Sequence, residues 1–166
     1  MAAETSLIIS NWHQLLEGYQ ESPQNVYGLL EEAIKKRQLP DCKVFRVVMH
    51  EKGLLSAKRE YLRVQSKKHL FDICAAPYGI SFFFSWWLRE QPAGCLGIFL
   101  GIPILGPILS IFVPAATFFT YDTALMFQDS VHKAVMDTVD QVTSEKGIRA
   151  LTEMERKPVL SDLFKR

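Results

Sequence analysis

Apolar residues recur at two different periods along this chain, and one long block has no period at all. In "SNWHQLLEGY", Trp12, Leu15, Leu16 and Tyr19 stand at helical spacing behind a Ser-Asn cap. The next segment, "SPQNVYGLLEEAIKKRQLP", has Ser22 at the cap position and Pro23 at the first helical position, where a missing N–H costs nothing. Val26, Leu29, Leu30 and Ile34 form its stripe, Glu31–Lys35 and Glu32–Lys36 are favourable i,i+4 pairs, and Pro40 ends it. The pattern predicts an N-terminal helical hairpin.

The period then shortens to two. "KVFRVVMH", "SAKREYLRVQ", "HLFDICAA" and "SFFFSWWLRE" are rich in β-branched and aromatic residues and are separated by the turn signals "EKG", "SKK" and "APYG". They predict a four-stranded antiparallel meander. In the second strand Lys58, Glu60, Leu62 and Val64 face one way, and Arg59, Tyr61 and Arg63 the other. In the fourth, Phe82, Phe84, Trp86 and Leu88 share one face, while Phe83 and Trp87 share the other with Ser81 and Ser85, so both faces call for a cover. After Tyr121 the helical period returns. Asp122 is a candidate N-cap, a stripe runs from Ala124 through Phe127, Val131, Ala134, Val135, Val139 and Val142, and Gly147 is a candidate C-cap. The capping-box pattern "TEME" predicts a shorter last helix. The fold class expected is α+β.

Between meander and helix, Gly94 to Tyr121 are 28 residues without a charged side chain. As one helix they would rise about 42 Å, more than the ~30 Å hydrocarbon core of a bilayer. Gly94, Gly97, Gly101 and Gly106 with Pro103, Pro107 and Pro114 break that helix, and the alternative is a re-entrant hairpin turning at "PILGP". A third reading, a buried core or oligomer interface, needs a partner subunit to enclose so much apolar surface. The expectation is a Gly/Pro-broken membrane-embedded segment carrying Gly97, Gly101, Pro103, Leu105, Pro107 and Pro114. Gly97-x-x-x-Gly101 matches the small-residue spacing of self-associating membrane helices. Trp86 and Trp87 beside Arg89 suit an interfacial aromatic belt or, equally, a sheet core.

Composition sharpens this picture in two places. The chain is 48% hydrophobic with a mean hydropathy of +0.05 and a formal net charge of +1, which weighs against wholesale nucleic-acid binding. From Lys35 to Lys68, however, eleven basic residues face three acidic ones. Arg59, Arg63, Lys67 and Lys68 are the candidates for contact with an anionic lipid leaflet, the alternatives being a phosphate backbone or a solvated sheet face. "MAAETSLIIS" has no basic n-region, so it does not read as a signal peptide.

Candidate chemistry is sparse. Cys42, Cys74 and Cys95 are odd in number and widely spaced, and His13, His50, His69 and His132 show no ligand spacing, so no metal or cofactor is expected. A Cys74 nucleophile paired with His50 or His69 competes with inert packing of a buried thiol. Asp129 and His132, i and i+3 on the long helix, are a solvated pair or a shared hydrogen bond. The expectation is a non-enzymatic scaffold or adaptor subunit at the inner (cytoplasmic) membrane, recruiting a protein partner or a second copy. Residues 1–91 would be a cytoplasmic α+β module, 94–121 the membrane-embedded segment and 122–166 a C-terminal helical arm. The alternative is a pore-forming effector that oligomerises through the Gly/Pro-rich segment.

Overall fold

The computed structural model describes residues 7–50, 58–91 and 117–160. Its elements are β1 (Leu7–Glu17), α1 (Pro23–Lys36), β2 (Cys42–His50), β3 (Lys58–Ser66), β4 (His69–Tyr78), β5 (Ser81–Glu90), α2 (Phe118–Glu145) and β6 (Val159–Leu160). The six strands form one antiparallel sheet in the order β2-β3-β4-β5-β1-β6. The four meander segments are strands β2 to β5, but β1 and β6 extend the sheet to six.

The expected N-terminal helical hairpin is corrected: a strand comes first and a helix second. Trp12 and Leu16, four apart, fit one face of a helix, yet they also sit on the same face of a strand, whose period is two. Pairing decides between them. β1 runs antiparallel to β5 from Leu7↔Glu90 to Glu17↔Ser81, with a bulge between Ile8 and Ser10. In this register Trp12 lies opposite Trp86 and Leu16 opposite Phe82, all four buried. A short isolated helix has no comparable compensation for its ordering entropy.

Helix α1 forms as its caps dictate, with the Ser22 side chain accepting from the Asn25 N–H at 3.2 Å and Val26, Tyr27, Leu30 and Ile34 buried. It crosses from β1, inside the sheet, to β2 at the far edge. Helix α2 packs against α1 and β4 and buries Phe127, Val131, Val135, Val139 and Val142 in the same core. Arg37, the C-cap of α1, and Asp137 of α2 clamp the two helices at 2.6 Å. The helix expected as a separate C-terminal arm therefore belongs to the core of the sheet domain. It also begins earlier than Asp122, because the Thr117 side chain caps it by accepting from the Thr120 N–H.

The "TEME" box forms as a reciprocal pair, Thr152 N–H to Glu155 Oε2 at 2.7 Å and Glu155 N–H to Thr152 Oγ1 at 3.4 Å. It closes a turn instead of a helix, and Pro158 then leads into β6. This strap is pinned to the core by the Trp12 indole, which donates to the Glu155 carbonyl at 2.6 Å, and by Arg156, which grips Asp140 through two hydrogen bonds.

The expected membrane-spanning helix and inner-membrane location are also corrected. Among the described residues no helix is long and apolar enough to cross a membrane. Helix α2 has 28 residues, but Asp122, Asp129, Lys133, Asp137, Asp140 and Glu145 interrupt its apolar surface. Gly97, Gly101, Pro103, Leu105, Pro107 and Pro114 lie outside the described residues.

Candidate functional site

Both helices cover the same face of the sheet, the one that carries Leu62, Val64, Phe71, Ile73, Phe84, Trp86 and Leu88. Because side chains alternate along a strand, the register decides what the opposite face, open in that neither helix lies on it, presents. Arg63 of β3 stands opposite Asp72 of β4, which stands opposite Trp87 of β5, which stands opposite Asn11 of β1.

Asp72 is the centre of that face. Arg63 donates to it through Nε at 2.6 Å and Nη2 at 3.2 Å, and Arg89 through Nε at 3.1 Å and Nη2 at 2.5 Å. The Asp72 side chain is 2% exposed and the Arg63 and Arg89 side chains 15% and 16%. Around the cluster lie half-exposed apolar side chains on the same face, Phe45 (40%), Trp87 (38%) and Ile8 (40%).

Beyond the pair Leu62↔Ile73 the β3–β4 ladder stops, and residues 58–61 pair only with β2 while residues 74–78 pair only with β5. Tyr27 of α1 fills the split from the helix side. Its hydroxyl accepts from the Ala75 N–H at 3.1 Å and donates to the Glu60 carbonyl at 2.8 Å. Burial pushes the Tyr27 phenol well up, so it stays protonated and able to donate. On the open side the split widens into a cleft of about 330 Å³ lined by Leu15, Arg59, Ala76, Pro77, Tyr78 and Phe83. A larger cleft of about 570 Å³ follows the β1 edge under Ile148 and Leu151, where Arg149 and Glu155 neutralise each other at 2.8 Å.

The four basic residues singled out from sequence are divided by the fold. Arg59 and Arg63 share the open face. Lys67 is exposed in the β3–β4 turn, at φ 51°, and Lys68 is bound to Glu90 at 2.6 Å. The candidate Cys–His pairs are not brought together. Cys74 is on the open face, whereas His69, five residues away on the same strand, and His50 on edge strand β2 project to the helix side. The imidazole that shares its row is His13, with Ser85 of β5 between them. Two strand spacings, about 9.5 Å, separate thiol and ring backbones, beyond the reach of a general base. Burial pushes the Cys74 thiol up, against the pull of Arg59 and of a hydrogen bond with Ser85.

Asp129 and His132 do not share a hydrogen bond either. Asp129 pairs with Lys133 at 2.7 Å, and His132 is buried between the Trp86 indole and the Arg156 carbonyl. Among the described residues no three His, Cys, Asp or Glu side chains converge as a metal site requires. Asp72, Arg89 and Tyr27 were not singled out from sequence. An aspartate inside the apolar run "HLFDICAA" was a signal for Asp72, since a buried carboxylate demands a cationic partner.

Comparison of the chain with protein-family models, with curated proteins and with solved structures returns no match.

Proposed function

We propose that the chain is a non-enzymatic adaptor module whose open sheet face binds an acidic, apolar segment of a partner protein. The observation that supports this reading is the Arg63–Asp72–Arg89 cluster, nearly desolvated at the centre of a face that neither helix covers and flanked by Phe45, Trp87 and Ile8. Interface hot spots favour this composition, with Trp and Arg anchors in a partly dry setting. The charges on this face favour an acidic partner. Among the described residues Lys43 and Arg59 project from it beside the cluster, against Glu17 at the end of β1. A protonated, buried Cys74 thiol without a base in reach favours binding over covalent chemistry.

The test is site-specific photo-crosslinking in cells that make the protein, with a benzophenone side chain placed at Trp87, at Phe45 or, as a control on the outer side of α2, at Gln141. The reading expects one heterologous adduct from positions 87 and 45, mapped to an acidic stretch of the partner and lost when the probe at 87 is combined with Phe45→Glu and the probe at 45 with Trp87→Glu. Adducts from position 141 alone, adducts with a second copy of the chain, or no adduct at 87 and 45 would overturn it.

A further inference from the structure

The cleft at the β3–β4 split has a chemistry of its own, independent of the protein-docking reading. Six of the seven arginines among the described residues are tied to carboxylates: Arg37 to Asp137, Arg46 to Glu31 and Glu60, Arg63 and Arg89 to Asp72, Arg149 to Glu155 and Arg156 to Asp140. Arg59 is the exception. No carboxylate among the described residues pairs with it, and its neighbours on the same face of the sheet are neutral, Tyr61 on its own strand and Cys74 on β4. Arg59 stands at the rim of a cleft whose other lining residues, Leu15, Ala76, Pro77, Tyr78 and Phe83, carry no charge.

The cleft is also held open by construction. Residues 58–61 and 74–78 would close it if they continued the ladder, and the Tyr27 hydroxyl satisfies the Ala75 N–H and Glu60 C=O groups that such pairing would otherwise use. The split therefore persists without leaving those two backbone groups unpaired, which would cost about 1–3 kcal/mol each. An apolar cavity of about 330 Å³ with one cation at its mouth falls at the small end of ligand sites, where a few polar groups orient a mostly apolar ligand. A planar guanidinium without a counter-charge recognises a carboxylate through two parallel hydrogen bonds.

We infer that this cleft binds a small monocarboxylate with an apolar body, its carboxylate on Arg59 and its body against Leu15, Ala76 and Phe83. Neither the adaptor reading nor its failure decides this, because the ligand needs only the cleft.

The probe is decanoate, titrated below its micellar range into the full-length chain and followed by amide NMR and calorimetry, with decanol and decyltrimethylammonium as the neutral and cationic counterparts. Decanoate is expected to saturate and to shift the amides of Leu15, Ala76, Tyr78 and Phe83, with decanol at least tenfold weaker and the cation weaker still. Arg59→Gln, at an exposed position, should reduce decanoate affinity at least tenfold and leave decanol unchanged. Ala76→Ile, which fills the floor and keeps the charge, should reduce both. Equal affinity for the three probes, decanoate binding that survives Arg59→Gln, shifts confined to other residues, or no saturable binding at millimolar decanoate would each overturn the inference.

Discussion

The Trp86 indole N–H donates to Nδ1 of His132 at 3.1 Å, joining the central strand of the sheet to the long helix inside the core. With Nδ1 accepting, the ring proton sits on Nε2 and is donated to the Arg156 carbonyl at 2.8 Å. The neutral imidazole is thus fully used, and a second proton would set two donors against each other.

A pH dependence of stability follows. Burial holds His132 below its ordinary value of 6.5, against the pull of the Arg156 carbonyl and Asp129 and with further lowering from Arg156 and Lys133. Burial also lowers His69, whose Nε2 has no partner, against Glu90 and together with Lys68. For both, the unfolded chain binds the proton more readily than the native one, so stability falls as pH drops through about 6.5, by up to about 1.4 kcal/mol per pH unit for each histidine. Urea unfolding at pH 7.5 and 5.5 should show this loss, and His132→Gln should remove about half of the slope while lowering stability at both pH values. A flat profile in the parent chain would contradict the buried neutral assignment.

Asp72 gives a prediction of a different kind, because breaking a buried ion cluster and replacing it have opposite consequences. Asp72→Asn takes the Asp72 charge away from two arginine side chains that are only 15% and 16% exposed and should cost about 3–5 kcal/mol in chemical denaturation. The triple replacement Asp72→Leu, Arg63→Met, Arg89→Met removes the whole cluster and should recover most of that loss. A triple variant no more stable than Asp72→Asn would show that the cluster contributes more than its own desolvation removes.

Helix α1 and strands β2 to β5 were legible in the sequence, the fold as a whole was not, and the failures share a cause. The caps of α1 and the alternation in β2 to β5 are local signals, and the local rules that read them describe what forms. Strand β1 was misread because "SNWHQLLEGY" satisfies both periods over so short a span, and only its pairing with β5, some 70 residues away, selects one. The same holds for the open face. Arg63, Asp72 and Arg89 are each visible as charges in half-apolar strands, but the register that places them on one carboxylate is a tertiary fact. Basic residues close in sequence were grouped as one surface, whereas Lys68 turns to Glu90 and Arg63 turns to Asp72.

The strap that carries β6 is tied to the core at three points, by the Trp12 indole, by His132 and by the Arg156–Asp140 pair. Trp12→Phe keeps an aromatic ring against His132, whose centroid lies 6.0 Å from that of Trp12, and removes the hydrogen bond to the Glu155 carbonyl. The cost should be about 1 kcal/mol, but its effect should be local. Limited proteolysis should cut between residues 149 and 160 faster than in the parent chain, with the sheet intact. Unchanged cleavage would mean that His132 and the Arg156–Asp140 pair hold the strap without the indole.

The split sheet is tested most directly at the Tyr27 hydroxyl. Tyr27→Phe keeps the ring under Arg46, whose guanidinium carbon lies 5.0 Å from its centroid, and removes only the oxygen. The Ala75 N–H and the Glu60 C=O then lose the partner that bridges them. Leaving a buried polar group unsatisfied costs about 1–3 kcal/mol, so the variant should be destabilised by at least that range's lower end. The change should also be visible residue by residue. The Ala75 amide should exchange with solvent faster, while the amides of Phe71 and Ile73, within the intact part of the β3–β4 ladder, keep their protection relative to global unfolding. If β3 and β4 instead zip together in the variant, Ala75 stays protected, the cleft closes, and decanoate binding is lost with Arg59 still in place. Parent-like stability together with parent-like exchange at Ala75 would mean that the hydroxyl does not bridge the two strands.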